Sequence, residues 1–72
     1  MEKRIAVIRE SPVELCKILK FENIAGSGGE AKCMIADGRV KVNGEVEIRK
    51  RKKILPGDII QVGDIQIEIR GI

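Results

Sequence analysis

Histidine, tryptophan and tyrosine are absent from this 72-residue chain, and Phe21 is its only aromatic residue. Without histidine the chain lacks the side chain that titrates near neutrality and the commonest metal ligand. Cys16 and Cys33 have no C-x-x-C spacing, so a four-ligand zinc site would have to be completed from elsewhere. No nucleophile is paired to a base in the pattern that covalent or acid-base catalysis needs. The sequence therefore reads as a non-enzyme with no cofactor and no metal. One aromatic residue also argues against stacking on aromatic platforms as the main way of holding a nucleic acid. No apolar run approaches the roughly 20 residues of a membrane span, and the start Met1-Glu2-Lys3-Arg4 carries no signal-peptide hydrophobic region. The expectation is a cytosolic chain away from the membrane, with two reduced thiols that serve as packing residues.

What is present is charge. Lysine and arginine number 14 against 11 acidic residues, a net charge of +3. The distribution matters more than the sum, because Arg49, Lys50, Arg51, Lys52 and Lys53 form an unbroken basic run. Adjacent like charges repel unless water or a polyanion meets them. A solvated loop is the plain explanation of such a run, and a polyanion-binding surface is the functional one. The length allows one domain, residues 1–72, with one modest core, because a chain this short buries only about 60% of its unfolded surface.

The rest is organised around Ser27 to Gly44. Ser27 with Glu30 three positions on is a capping box that starts a helix at about Gly28. Gly28 and Gly29 in its first turn forgo about 1 kcal/mol each of helix propensity against alanine. Two reasons account for them: open N-terminal amides that an anion can approach along the helix dipole, or close packing against a preceding helix. Ala31, Met34 and Ile35 make the apolar arc, Lys32 follows one turn in, and Gly38 ends the helix in a left-handed conformation. Arg39, Lys41 and Asn43 then alternate with Val40 and Val42, so a strand sends the three polar residues to one face. A helix start, a lysine and a basic strand face can together form an anion groove.

Before this unit, Arg4 to Arg9 holds the β-branched run of a strand, at an edge of a sheet or within it. Ser11-Pro12-Val13-Glu14 has the form of a second capping box, and it predicts a helix from Pro12 to about Phe21. Leu15, Ile18 and Leu19 fall on one arc of that helix, with Cys16 at its border and Lys17 and Lys20 outside it. After it, Asn43-Gly44 signals a hairpin. Face alternation predicts a three-residue loop that pairs Val42 with Val46 and Lys41 with Glu47. Pro56-Gly57-Asp58 predicts a turn, and Gly63-Asp64 a closing hairpin that pairs Val62 with Ile65 and Ile60 with Ile67.

The runs S-G-G-E-A-K, I-A-D-G-R-V-K-V-N-G-E and P-G-D resemble the S-four RNA-binding domain, also called the alpha-L motif. The likeness covers about residues 13–62 and is nearest to short bacterial proteins made of this domain alone. It implies an α+β fold, with a two-helix hairpin packed on a small, mostly antiparallel sheet. It also implies that the start of the second helix and the strand after it touch structured RNA. Carried over by position, the candidate contacts are Ser27, Gly28, Gly29, Lys32, Arg39, Lys41 and Asn43. Arg49, Lys50, Arg51, Lys52 and Lys53 extend the surface on grounds of charge. Many family members begin the first helix with an arginine and place a basic residue after the serine. This chain has Val13 or Glu14 and Gly28 there, which shifts the burden to Lys32 and the strand.

The expected function is an RNA-binding module for rRNA or tRNA, acting as a monomer in a ribosomal or other ribonucleoprotein setting. The alternative is a small basic module that docks on an acidic protein partner. A ubiquitin-like sulfur carrier needs a C-terminal Gly-Gly, and the end here is Arg70-Gly71-Ile72. Double-stranded DNA ranks lower still, because the second helix carries no Arg/Asn base-reading set.

Overall fold

A computed structural model describes all residues, Met1–Ile72. Seven strands and two helices follow the chain as β1 (Glu2–Ile8), β2 (Val13–Glu14), α1 (Leu15–Phe21), α2 (Gly28–Ala36), β3 (Val40–Val42), β4 (Glu45–Val46), β5 (Lys53–Ile54), β6 (Ile59–Val62) and β7 (Ile65–Gly71). Five of the strands form one sheet in the order β1-β7-β6-β3-β4, while β2 and β5 pair separately. Only β1 and β7 run parallel; the other pairs are antiparallel. This is the expected α+β arrangement, a helix hairpin on a mostly antiparallel sheet, with β1 at the edge.

The core follows from the two periodicities. From α1 it takes Leu15, Ile18 and Leu19, from α2 Ala31, Met34 and Ile35, and from the sheet Val40, Val42, Ile60, Val62, Ile67 and Ile69. Leu19 and Ile35 are wholly buried. Truncating either to alanine removes about 2–5 kcal/mol, a large share of the stability of a small domain. No buried side-chain polar atom lacks a partner.

Local signals set α2. Ser27 is the N-cap, and its Oγ accepts from the Glu30 N–H at 3.1 Å. The Glu30 carboxylate reaches one residue beyond the cap and accepts from the Gly26 N–H at 3.2 Å. Asp37 is the C-cap, and Gly38 follows at φ 77°. The last hairpin also keeps its predicted register, with Val62 opposite Ile65 and Ile60 opposite Ile67.

The first helix begins later than its capping box predicts. Val13 and Glu14 are extended and pair with Ile54 and Lys53, so α1 starts at Leu15. Glu14 stands at the N-cap without a side-chain capping bond. Distant backbone supplies the acceptors instead: the Leu15 N–H donates to the Lys52 carbonyl at 2.9 Å, and the Cys16 N–H to that of Lys50 at 3.3 Å. The basic run therefore caps α1, and the Glu14 carboxylate is released to pair with Lys17 and Arg51.

The register of the Asn43-Gly44 hairpin also differs from the expectation. Val42 lies opposite Glu45 and Lys41 opposite Val46, so the turn has two residues rather than three. Asn43 at φ 52° and Gly44 at φ 87° supply the two left-handed positions of a type I′ turn. Turn chemistry prevails here because β4 is a two-residue edge strand with no buried face to enforce alternation. Val46 and Ile48 are left 54% and 63% exposed.

Candidate nucleic-acid interface

The start of α2 is open. A Cβ built on Gly28 meets nothing within 4 Å, and one on Gly29 meets only the Ser27 Oγ, at 3.9 Å. Close helix packing therefore does not explain these glycines, which leaves the anion-facing reason standing. Helix geometry gives the Gly28 and Gly29 N–H groups no intrahelical acceptor. The next two N–H groups are occupied: Glu30 donates to the Ser27 hydroxyl and Ala31 to the Ser27 carbonyl. Two amides at the positive end of the helix dipole thus face outward.

A cleft of about 210 Å³ adjoins this opening, formed by Gly28 and Lys32 of α2, Lys17 and Lys20 of α1, and Arg51 of the basic run. One carboxylate enters it. Glu14 lies 3.6 Å from both the Lys17 Nζ and the Arg51 Nε. Four cationic side chains thus face a single anion, and the cleft carries an excess of positive charge. The capping bonds to Lys50 and Lys52 hold the loop that brings Arg51 here.

Lys17 and Lys20 are the additions that the expected contact set lacks. Their position outside the apolar arc of α1 is legible in the sequence. Their nearness to Gly28 is not, because it follows from the turn that lays α2 back against α1. The short connector, residues 22–27, was the available signal.

The remaining candidates divide. Ser27 and Gly29 are exposed beside the cleft. Arg39 follows the C-terminal end of α2, about 13 Å along the axis from Gly28 at 1.5 Å per residue. Lys41 is exposed between buried Val40 and Val42, and so projects from the face of the sheet away from the helices. Neither Arg39 nor Lys41 lines the cleft. Asn43, Arg49 and Lys52 line a separate depression of about 290 Å³ that also contains Glu45 and Glu47. Lys50 and Lys53 are exposed on the run.

Two of these side chains are already engaged within the protein. Asn43 donates from Nδ2 to the Asp58 Oδ1 at 3.0 Å, and its Oδ1 accepts from the Ile59 N–H at 2.9 Å. Arg49 grips Glu47 through Nε and Nη2, both at 2.9 Å, and its backbone N–H adds a third bond at 3.0 Å. The Arg49 side-chain bonds, then its backbone bond, hold the Glu47 carboxyl at a pKa of about 2. The positive charge of Arg49 is largely met by this partner, whereas Lys50 and Lys53 form no ion pair.

A family model for the S4 domain matches residues 6–70. The chain belongs to the S4 domain family. Among S4 relatives, YbcJ of Escherichia coli (strain K12) is 46% identical over 57 residues, which is 79% of this chain and 81% of that protein. The solution structure of E. coli YbcJ, described as revealing an alpha-L motif involved in RNA-binding, superposes with a TM-score of 0.68 at 38% identity. That match covers 97% of this chain and 87% of the other. A further relative, from Bacillus subtilis (strain 168), bears the name probable ribosome maturation protein RlbA. It is 32% identical over 50 residues, 69% of this chain and 70% of that protein.

Proposed function

We propose that this S4 domain is an RNA-binding module that holds structured RNA in the cleft between α1, the start of α2 and the basic run. The observation that carries this reading is the convergence of Lys17, Lys20, Lys32 and Arg51 around the open Gly28 amide. Lysine and arginine on phosphates position an RNA, while a rigid cleft selects its shape. Ser27 and Gly29 border the contact. Lys50, Lys52 and Lys53 broaden the field that draws the polyanion in, and Arg39 and Lys41 serve as outlying contacts for an RNA that wraps past the helices. The E. coli relative described by its RNA-binding motif supports the ligand class.

The B. subtilis relative named for ribosome maturation supports a ribosomal setting, with rRNA or tRNA as the structured RNA. We place the module in the cytosol, and we read the whole chain as one non-catalytic binding domain. No group of three or more metal-ligating residues is assembled, and no helix is long and apolar enough to cross a membrane.

The test is RNA crosslinking in cells with sequencing of the recovered fragments, followed by titration of the enriched RNA in vitro. Neutralising about five phosphates predicts at least a hundredfold loss of affinity between about 50 and 200 mM salt. Enrichment of one rRNA or tRNA region with that slope is the expected result. No enriched RNA and no salt-sensitive binding would turn the basic surface over to an acidic protein partner.

A further inference from the structure

A second cleft, of about 480 Å³, lies on the other side of Lys17 and shares both Lys17 and Glu14 with the basic one. Phe21 and Val13 contribute apolar walls, and Arg9, Lys17 and Lys53 bring cations to it. Phe21 is 71% exposed, so the core makes little use of it. It sits one turn beyond Lys17 on the solvent side of α1, where helix periodicity ordinarily places a polar residue. The only aromatic ring of the chain thus stands beside three cations, next to a cleft that already suits phosphate.

We propose that this second cleft receives one unstacked nucleobase of the RNA held in the adjoining basic cleft. The inference rests on the RNA-binding reading above and adds a subsite to it. Charge and continuity select the occupant. A purely apolar peptide would leave Arg9 and Lys53, neither of which forms an ion pair, unmatched, whereas a nucleotide brings a flat π-face for Phe21 and a phosphate for these cations. The Glu10 and Glu14 carboxylates at the same cleft can accept hydrogen bonds from exocyclic amino groups of a base. Stacking on one ring tolerates any base, so the subsite reads chiefly the presence of an unpaired nucleotide, with the two carboxylates favouring bases that carry an exocyclic amino group over uracil. The target is therefore a helix interrupted by a bulge or a loop.

The experiment compares a hairpin RNA carrying one bulged adenosine with the same hairpin lacking the bulge. It uses the wild-type chain, Phe21→Ala and Phe21→Trp. Because the chain has no other tryptophan, Phe21→Trp gives an unambiguous fluorescence signal. The expected result is about a tenfold affinity loss for Phe21→Ala on the bulged hairpin, the scale of one base–aromatic stack. The unbulged hairpin should bind Phe21→Ala and wild type equally, while Phe21→Trp keeps full affinity and is quenched by the bulged RNA. If Phe21→Ala matches wild type on both hairpins, tryptophan emission is unchanged and binding remains salt-sensitive, the subsite is overturned and the basic cleft stands. If wild type binds neither hairpin, the RNA reading fails and the subsite with it. A concentration-dependent emission change without RNA would assign Phe21 to self-association and overturn the proposal.

Discussion

The Leu15 N–H donates to the Lys52 carbonyl at 2.9 Å, which fixes the basic run against the first turn of α1. This bond uses backbone only. The lysine side chains of the run can therefore be changed without removing the cap, which makes charge and fold separable in experiment. Replacing the exposed Lys50 and Lys53 and the half-buried Lys52 with glutamine should leave the thermal midpoint nearly unchanged, since none of the three is in the core and surface substitutions stay within about 0.5 kcal/mol. RNA affinity should fall for all sequences, and the log–log salt slope should drop by about 2–3. An unchanged slope in a salt titration would remove the run from the interface.

Gly28→Ala separates stability from binding in the opposite sense. The site has space for a methyl group, and alanine favours a helix by about 1 kcal/mol. Chemical denaturation should show equal or higher stability. Binding of a structured RNA should weaken several-fold, because the methyl group holds a phosphate away from the Gly28 and Gly29 amides. Unchanged affinity would mean that no phosphate approaches there.

Lys32→Ala and Arg39→Ala test the shape of the interface. Lys32 lines the cleft and Arg39 does not. Lys32→Ala should lower affinity for a hairpin more than for a random single strand, while Arg39→Ala should lower both by a similar, smaller factor. Parallel titrations of the two RNAs decide the matter, and equal losses from both variants would contradict a shaped cleft.

Asn43 is expected to act through folding. Both ends of its carboxamide are engaged, by Asp58 and the Ile59 N–H, and Asp58 also accepts from the Leu55 N–H at 2.9 Å. Asn43→Gly tolerates φ 52° but loses these bonds. Stability should fall by about 1–2 kcal/mol, with RNA affinity unchanged below the melting range. A selective affinity loss at full stability would return Asn43 to the RNA contacts.

Glu47 gives the fold an acid-sensitive element. Its folded pKa of about 2 lies below its ordinary value of 4.5. The native state therefore holds the proton less tightly than the unfolded chain, and the stabilisation is fully present above about pH 4.5. It is lost as pH falls through the folded value near 2. Denaturation curves of wild type and Glu47→Gln should differ by about 1 kcal/mol at neutral pH and converge toward pH 2. A constant difference across that range would contradict the assignment.

Much of this architecture is legible in local residue patterns. Ser27 with Glu30, Gly38, and Pro56-Gly57-Asp58 each specify their own backbone, and the apolar arcs of α1 and α2 predict which residues are buried. The failures occur where a partner distant in sequence decides. Val13 and Glu14 read as helix because their neighbours supply a capping pattern, yet the acceptors at the helix start come from residues 50 and 52. The register at Asn43-Gly44 departs from alternation because Val46 has no core to enter. The candidate site behaves similarly: the glycines and Lys32 are marked by sequence, whereas Lys17 and Lys20 join them only through the helix hairpin.

The most direct measurement is NMR shift mapping of the ¹⁵N-labelled chain during titration with a structured RNA. The Gly28 and Gly29 amides should move most, together with Lys17, Lys20, Lys32 and Arg51, with smaller shifts at Arg39 and Lys41, while Lys3 on the far edge strand β1 stays in place. Shifts confined to the sheet face, with Gly28 and Gly29 unmoved at saturation, would contradict it.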